Sequence, residues 1–308
     1  MADTTGVSIL GIFNADLIFR GPRLPRIGET LTGTGFAIGP GGKGSNQAVA
    51  AAKAGAAVKF ISKLGQDNFG DLAVDIWTRA GVTPRVQRIA EKPTGTAFIF
   101  VNDETGDNAI IIAPGAPSTL TPADIDAEAD AITGSKVFVT QLEQPVPAAA
   151  RALEIAHAAG VTTIFNPAPA VAFPDELYAL SDYIAPNETE AAMLTGIEPG
   201  SIDDARKAGD ILLKRGARNA LITLGSNGAL LHNADRSVHI PVVSAGKVVD
   251  TTGAGDAFLG GFAAALSRGM DPVDAARFGC ATAGIAVTRF GTAPAMPSRD
   301  EIEALLAR

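Results

Sequence analysis

The 308-residue chain has one cysteine, three histidines, one tryptophan and no basic tract. A lone Cys280 excludes an intramolecular disulfide and fits a reducing compartment. His157, His232 and His239 show neither metal-ligand nor triad spacing, which leaves zinc chemistry and a histidine-activated nucleophile without support. The formal charge is −8, so the basic face of a nucleic-acid binder is missing. No apolar run approaches the ~20 residues of a membrane helix. The start, Met1-Ala2-Asp3-Thr4-Thr5, lacks the basic region and apolar core of a secretory signal. The expectation is a cytoplasmic protein with no nucleic-acid or membrane partner. An anionic small ligand stays open, held by helix N-termini, a lysine or a metal ion.

What is present is a well-cored globule, 46% hydrophobic against 19% charged. Short β-branched runs at Val7–Phe13, Val58–Ser62, Val137–Thr140, Val161–Phe165, Tyr183–Ala185 and Ala220–Thr223 predict strands. Helical patterns at Ser45–Ala54, Phe69–Ala80, Pro122–Ile132, Pro147–Ala159, Glu188–Leu194 and Ile202–Arg215 alternate with them. The alternation predicts an α/β fold: a mainly parallel sheet with helices on both faces, over one domain spanning 1–308. Two segments break the rhythm. Residues 15–40 are rich in glycine and proline, and residues 95–114 read as a hairpin of "TAFIFV" and "NAIIIA". Together they predict a small extra sheet, either a lid or ordinary edge hairpins.

Ligands in such sheets bind beyond the carboxyl ends of the strands. The polar residues there are Asn14 and Asp16 after the first strand, Glu143 after "KVFVT", Asn187 and Glu190 after "DYIAP", and "TLGSNG" after "ALIT". Asn187 and Glu190 also have the spacing of a capping-box pair. Gly39-Pro40-Gly41-Gly42-Lys43-Gly44 satisfies G-x-G-x-x-G but follows an irregular segment, so it is no dinucleotide fingerprint; Gly44 after Lys43 excludes a P-loop. There remains "GGKGSNQA", with exposed backbone, one cation, and Asn46 and Gln47 in a first helical turn. In "VDTTGAGDAF" an aspartate, Asp256, follows a Gly-Ala-Gly turn at the mouth of an apolar helix. It either caps that helix or does chemistry there. Trp77 is expected in the core.

The set Asn14-x-Asp16, "GGKGSNQA", "TQLEQPV", "NPAPA", "PNETE", "TLGSNG", "DTTGAGDAF" and "AVTRFGTAPAMP" resembles the ribokinase family of carbohydrate kinases over essentially the whole chain. The resemblance implies ATP-dependent phosphorylation of a sugar hydroxyl, D-ribose to D-ribose 5-phosphate in the first instance. 2-Deoxyribose, a ketose or a nucleoside is the alternative acceptor. It implies Asp256 as base, with the amides of Gly253, Ala254 and Gly255 facing the migrating phosphoryl group. Asn14, Asp16, Gly42, Lys43, Asn46 and Glu143 look like the sugar site. Asn187, Glu190, Thr223, Gly225, Gly228, Gly255 and Cys280 look like the nucleotide side, with Glu190 acting indirectly on Mg²⁺. Asp250 and Thr252, with carbonyls of Val287, Phe290 and Thr292, match positions that hold an activating K⁺. The family likeness also implies a β lid over the sugar and a homodimer formed through that lid.

Overall fold

A computed structural model of the chain describes residues 6–308; the reading of Met1–Thr5 lies outside the described residues. In chain order the strands are β1 (Val7–Leu10), β2 (Asn14–Gly21), β3 (Gly35–Gly41), β4 (Val58–Gly65), β5 (Val82–Ile89), β6 (Gly95–Asn102), β7 (Asn108–Ala113), β8 (Val137–Thr140), β9 (Thr162–Phe165), β10 (Tyr183–Ile184), β11 (Asn219–Thr223), β12 (Ala229–His232) and β13 (Ser237–Ile240). The helices are α1 (Lys43–Lys53), α2 (Asn68–Ala80), α3 (Pro122–Ala127), α4 (Ala129–Thr133), α5 (Val146–Ala158), α6 (Glu176–Ala179), α7 (Glu188–Thr195), α8 (Ile202–Lys214), α9 (Ala254–Ser267), α10 (Pro272–Ala286) and α11 (Arg299–Leu306).

Nine strands form the main sheet in the order β13-β12-β11-β10-β9-β8-β1-β4-β5. From β11 to β5 all neighbours run parallel, and only β12 and β13 are antiparallel additions. Parallel strands covered on both faces must be apolar on both. In β1, Val7 and Ile9 enter one core and Leu10 the other; in β8, Val137 and Val139 oppose Phe138. The α/β architecture expected from the alternating pattern is the one observed.

The two irregular segments form a separate sheet of four strands, β3-β2-β6-β7. Strand β2 pairs antiparallel with β3 and parallel with β6, which continues antiparallel into β7. Some expected boundaries shift. The first strand ends at Leu10 rather than Phe13, and the helix expected over Pro122–Ile132 divides at Glu128, whose φ of −106° leaves the helical range. Strand β5, "VTPRVQRI", was not expected from its pattern: Pro84 and two arginines suit the sheet edge it occupies.

Helix α9 decides where the site lies. It is buried from Asp256 through Ala265, the mark of a core helix rather than a surface one. It packs between α1 and α10. A Cβ on Gly260 would lie 2.5 Å from Ala50 Cβ and 2.6 Å from the Gln47 carbonyl oxygen, so only glycine permits the α1–α9 approach. On the far side of α1, fully buried Trp77 donates its indole N–H to Ser45 Oγ at 2.9 Å. Gly260→Ala is expected to lower the unfolding free energy by about 1–3 kcal/mol in a urea titration. Gly200→Ala, where an added carbon meets nothing within 4 Å, should stay within about 0.5 kcal/mol of the parent. Equal stability of the two variants would count against a tight crossing.

Candidate active site

Helix α9 opens on Gly253, which has φ 74° and ψ 9°, a conformation that glycine adopts freely. The turn delivers Asp256 into the first helical turn, yet Asp256 does not cap: no side chain caps α9. Its carboxylate reaches α1 instead. Asn46 Nδ2 donates to Asp256 Oδ2 at 3.1 Å, and Gln47 Nε2 donates to Oδ1 at 3.1 Å. Asp256 is 8% exposed. Burial pushes its carboxyl above the ordinary aspartate range, while the Lys43 ammonium and the two amides pull it back. Of the backbone amides in the turn, Ala254 N–H is spent on the Thr251 carbonyl at 3.2 Å. The N–H groups of Gly253 and Gly255 have no acceptor among the described residues. A phosphoryl oxygen would therefore meet Gly253 and Gly255 rather than all three expected donors.

On one side of Asp256 lies a polar pocket. Asn14 and Asp16 open β2 on one face, opposite Gly41 and Gly39 of β3 and Gly95 and Ala97 of β6. These small neighbours leave room beside them. Asn14 Oδ1 and Asn46 Oδ1 are buried without a hydrogen-bond partner in the chain. Glu143 Oε2 accepts the Lys43 backbone N–H at 2.7 Å, where Gly42 leads into α1. Burial raises Asp16 to about 6 and Glu143 to about 7; for Glu143 the Lys43 N–H opposes the rise and the charges of Asp256 and Asp16 add to it. Asn14, Asp16, Gly42, Lys43, Asn46, Glu143 and Asp256 thus gather from four separate stretches of chain.

On the other side is a cavity of about 470 Å³. Its walls include Asn187, Thr223, Gly225, Gly228, Gly255 and Cys280 from the sequence-identified set. Val242, Val248, Phe258 and Ala283 add an apolar surface that no sequence motif announced. Burial pushes the Cys280 thiol up to about 12, so it packs and does not react. Glu190 does not line the cavity but closes a capping box with Asn187: Asn187 N–H donates to Glu190 Oε2 at 2.9 Å, and Glu190 N–H to Asn187 Oδ1 at 2.8 Å. Burial raises the Glu190 carboxyl, the Asn187 hydrogen bond opposes the rise, and the Lys43 and Asp256 charges act on it in opposite senses.

The segments 249–252 and 287–292 lie side by side. Asp250 Oδ1 accepts the Thr252 N–H at 2.9 Å and Oδ2 the Gly291 N–H at 3.0 Å. Burial raises the Asp250 carboxyl, but the Thr252 and Gly291 hydrogen bonds outweigh it and hold the group low. The Val287 carbonyl accepts the Val249 and Asp250 N–H groups at 2.8 and 3.2 Å, and the Thr292 carbonyl accepts the Ala295 N–H at 3.0 Å, so two of the three expected carbonyls already carry a bond within the chain. Phe290 is exposed, and Thr292 is buried with its hydroxyl on the Pro40 carbonyl at 2.8 Å. Among the described residues no group of three or more His, Cys, Asp or Glu side chains forms a metal cage. A second cavity of about 460 Å³, bounded by Arg268, Phe278, Arg299 and Glu303, contains none of the site residues.

The likeness to known proteins runs the length of the chain. The model of the pfkB family of carbohydrate kinases matches residues 4–299. Staphylococcus aureus ribokinase is 40% identical over 303 residues, 97% of this chain and 99% of that protein. Salmonella typhi deoxyribokinase is 37% identical over 303 residues, 98% of each. The solved structure of Arabidopsis thaliana ribokinase with ribose and ATP aligns with a TM-score of 0.94 at 30% identity, covering 99% of both chains. The helix turn that carries the Asp256 carboxylate lies between a polar pocket and an apolar cavity, and by its family match the chain belongs to the pfkB family of carbohydrate kinases.

Proposed function

We propose that the chain is an ATP-dependent kinase that converts D-ribose to D-ribose 5-phosphate. The observation that carries this reading is the place of Asp256, bonded to Asn46 of the polar pocket and adjacent in sequence to Gly255 of the cavity. Asn14, Asp16, Gly42, Lys43, Asn46 and Glu143 bind the sugar, with the unpartnered oxygens of Asn14 and Asn46 as acceptors for its hydroxyls. Asn187, Thr223, Gly225, Gly228, Gly255 and Cys280 bind ATP. The structure of Arabidopsis thaliana ribokinase with ribose and ATP supports both ligands.

Asp256 accepts the proton of the sugar's primary hydroxyl as the oxygen bonds to the γ-phosphorus and the bond to the β-γ bridging oxygen breaks, releasing ADP. Phosphoryl transfer depends on positioning and on stabilised negative charge. The Gly253 and Gly255 amides and the positive end of α9 supply the second. Glu190, with one oxygen committed to Asn187 and no carboxylate cage around it, suits a water-mediated hold on phosphate-bound Mg²⁺. The ion would neutralise phosphate charge. Asp250 and Thr252, with the carbonyls of Val287, Phe290 and Thr292, would supply the oxygen donors for K⁺. The small sheet acts as a lid that excludes water from the transferring group. A cytoplasmic location accords with ATP as co-substrate.

The lid also proposes a partner. Leu17, Phe19, Phe36, Ile38, Phe98 and Ile111 share the face opposite to Asn14 and Asp16. Phe19, Phe36, Ile38 and Ile111 are 42, 57, 48 and 69% exposed. So apolar a sheet face needs cover, and a second copy of the chain supplies a matching one as a homodimer.

The deciding assay is ADP release with ATP and Mg²⁺ over ribose, 2-deoxyribose, ketoses and nucleosides, with and without K⁺. Ribose is expected to turn over fastest, and K⁺ to raise its rate relative to tetramethylammonium. Faster turnover of 2-deoxyribose would move the specificity to the deoxyribokinase type, and indifference to K⁺ would remove the cation site. Asp256→Asn is expected to lower kcat by about 10²–10⁴-fold while ATP affinity, measured by calorimetry, changes little. In sedimentation velocity the parent should run as a dimer and Phe36→Glu as a monomer; a monomeric parent rejects the lid pairing.

A further inference from the structure

Asp256 is held by more than its immediate neighbours. Gln47 Nε2, besides meeting Asp256 Oδ1 at 3.1 Å, donates to Asn166 Oδ1 at 3.3 Å, and Gln47 Oε1 accepts from Gln141 Nε2 at 2.5 Å. Asn166 Nδ2 donates to the Ala185 backbone carbonyl at 2.7 Å. Gln47 and Gln141 are 0% exposed and Asn166 is 6% exposed. The participants come from the first turn of α1 and from just beyond the ends of β8, β9 and β10.

The order of donors and acceptors in this chain is forced. A backbone carbonyl only accepts, so Ala185 obliges Asn166 to point its NH₂ outward to it and its oxygen toward Gln47. Gln47 must then turn its NH₂ to Asn166 and Asp256 and its oxygen to Gln141. A flipped Gln47 would set an oxygen against the carboxylate, and both ends of the chain oppose that flip. In a dry interior such an arrangement carries more weight than the same bonds in water.

We propose that Gln47, clamped by Gln141 and Asn166, is a positioning residue that keeps Asp256 ionised and oriented to accept the sugar proton. The inference rests on the ribose-kinase reading for its effect on turnover, but the ionisation of Asp256 is measurable without substrate. The other charged groups that act on Asp256 are Lys43 on α1, Glu143 beyond β8 and Glu190 on α7, with Asp16 of β2 acting on Glu143. Lys43 favours the carboxylate and the acidic groups oppose it. None of them is altered by a change at residue 47 or 166.

The test is a titration of ¹³C-labelled aspartate carboxyls in the intact protein, with the Asp256 signal assigned by its loss in Asp256→Asn. It is run on the parent, Gln47→Leu and Asn166→Leu beside the pH profile of kcat/KM for ribose. Removing the Gln47 donor destabilises the carboxylate, so the midpoint and the acid limb are expected to move upward by about one pH unit. A misplaced base should also lower kcat by about 10²-fold with little change in KM for ATP. Asn166→Leu, which does not touch Asp256, should move the midpoint in the same direction by less; it carries the test if Gln47→Leu does not fold. An unmoved midpoint in the folded variants overturns the proposal, including when their melting temperature falls. A midpoint that moves in the variants of a parent that phosphorylates no sugar supports the clamp and sinks the ribose-kinase reading instead.

Discussion

A carboxylate taken out of water at the start of a helix is the constraint on which the rest of this structure depends. Burial alone favours the neutral form of Asp256 over the carboxylate. Two carboxamides from α1 and the nearby Lys43 charge oppose that tendency. Those groups reach Asp256 only because α1 and α9 cross closely at Gly260, and because the Gly253 turn delivers the residue pointing inward. A chain of net charge −8 can thus handle anionic phosphate without a basic surface. Local amide hydrogens and helix ends do what bulk charge does not.

The two pockets beside Asp256 differ in chemistry, and each difference has a cause in the fold. The polar one is built where the small sheet meets the first turn of α1, with acidic side chains lifted toward neutral pH by burial. The other is walled by loop residues and by the apolar flanks of α9 and α10, which suits a flat aromatic group better than a hydroxyl-rich one. On the proposed reading, discrimination among sugars therefore resides in Asn14, Asp16 and Glu143. A site that hydrogen-bonds a given hydroxyl rejects the analogue lacking it, because its own buried groups are then left unpaired.

Much of this was legible before any coordinates. The buried parallel strands announce themselves by β-branched runs, and the functional loops by glycines and amides placed just after them. What escaped depends on tertiary partners. Strand β5 carries Pro84 and two arginines because it lies at an edge, so its pattern resembles a loop. The parallel pairing of β2 with β6 joins segments some eighty residues apart, and no local period reports it. The prior engagement of the Val287 carbonyl and the Ala254 amide is likewise invisible in a string of letters. Gln47, Gln141 and Asn166 all stood within recognisable motifs, but only the fold shows that they meet.

Strand β3 ends at Gly41 and α1 begins at Lys43, so a single residue, Gly42, separates the small sheet from the helix that holds Asp256. No slack exists there to absorb relative motion. The two are placed like the arm and the axle of one lever. The Thr292 hydroxyl on the Pro40 carbonyl adds a second bearing two residues before that joint. Rebuilding the small sheet would therefore disturb the setting of Asp256 as well, unless the replacement kept the β3–α1 joint at its present length and angle.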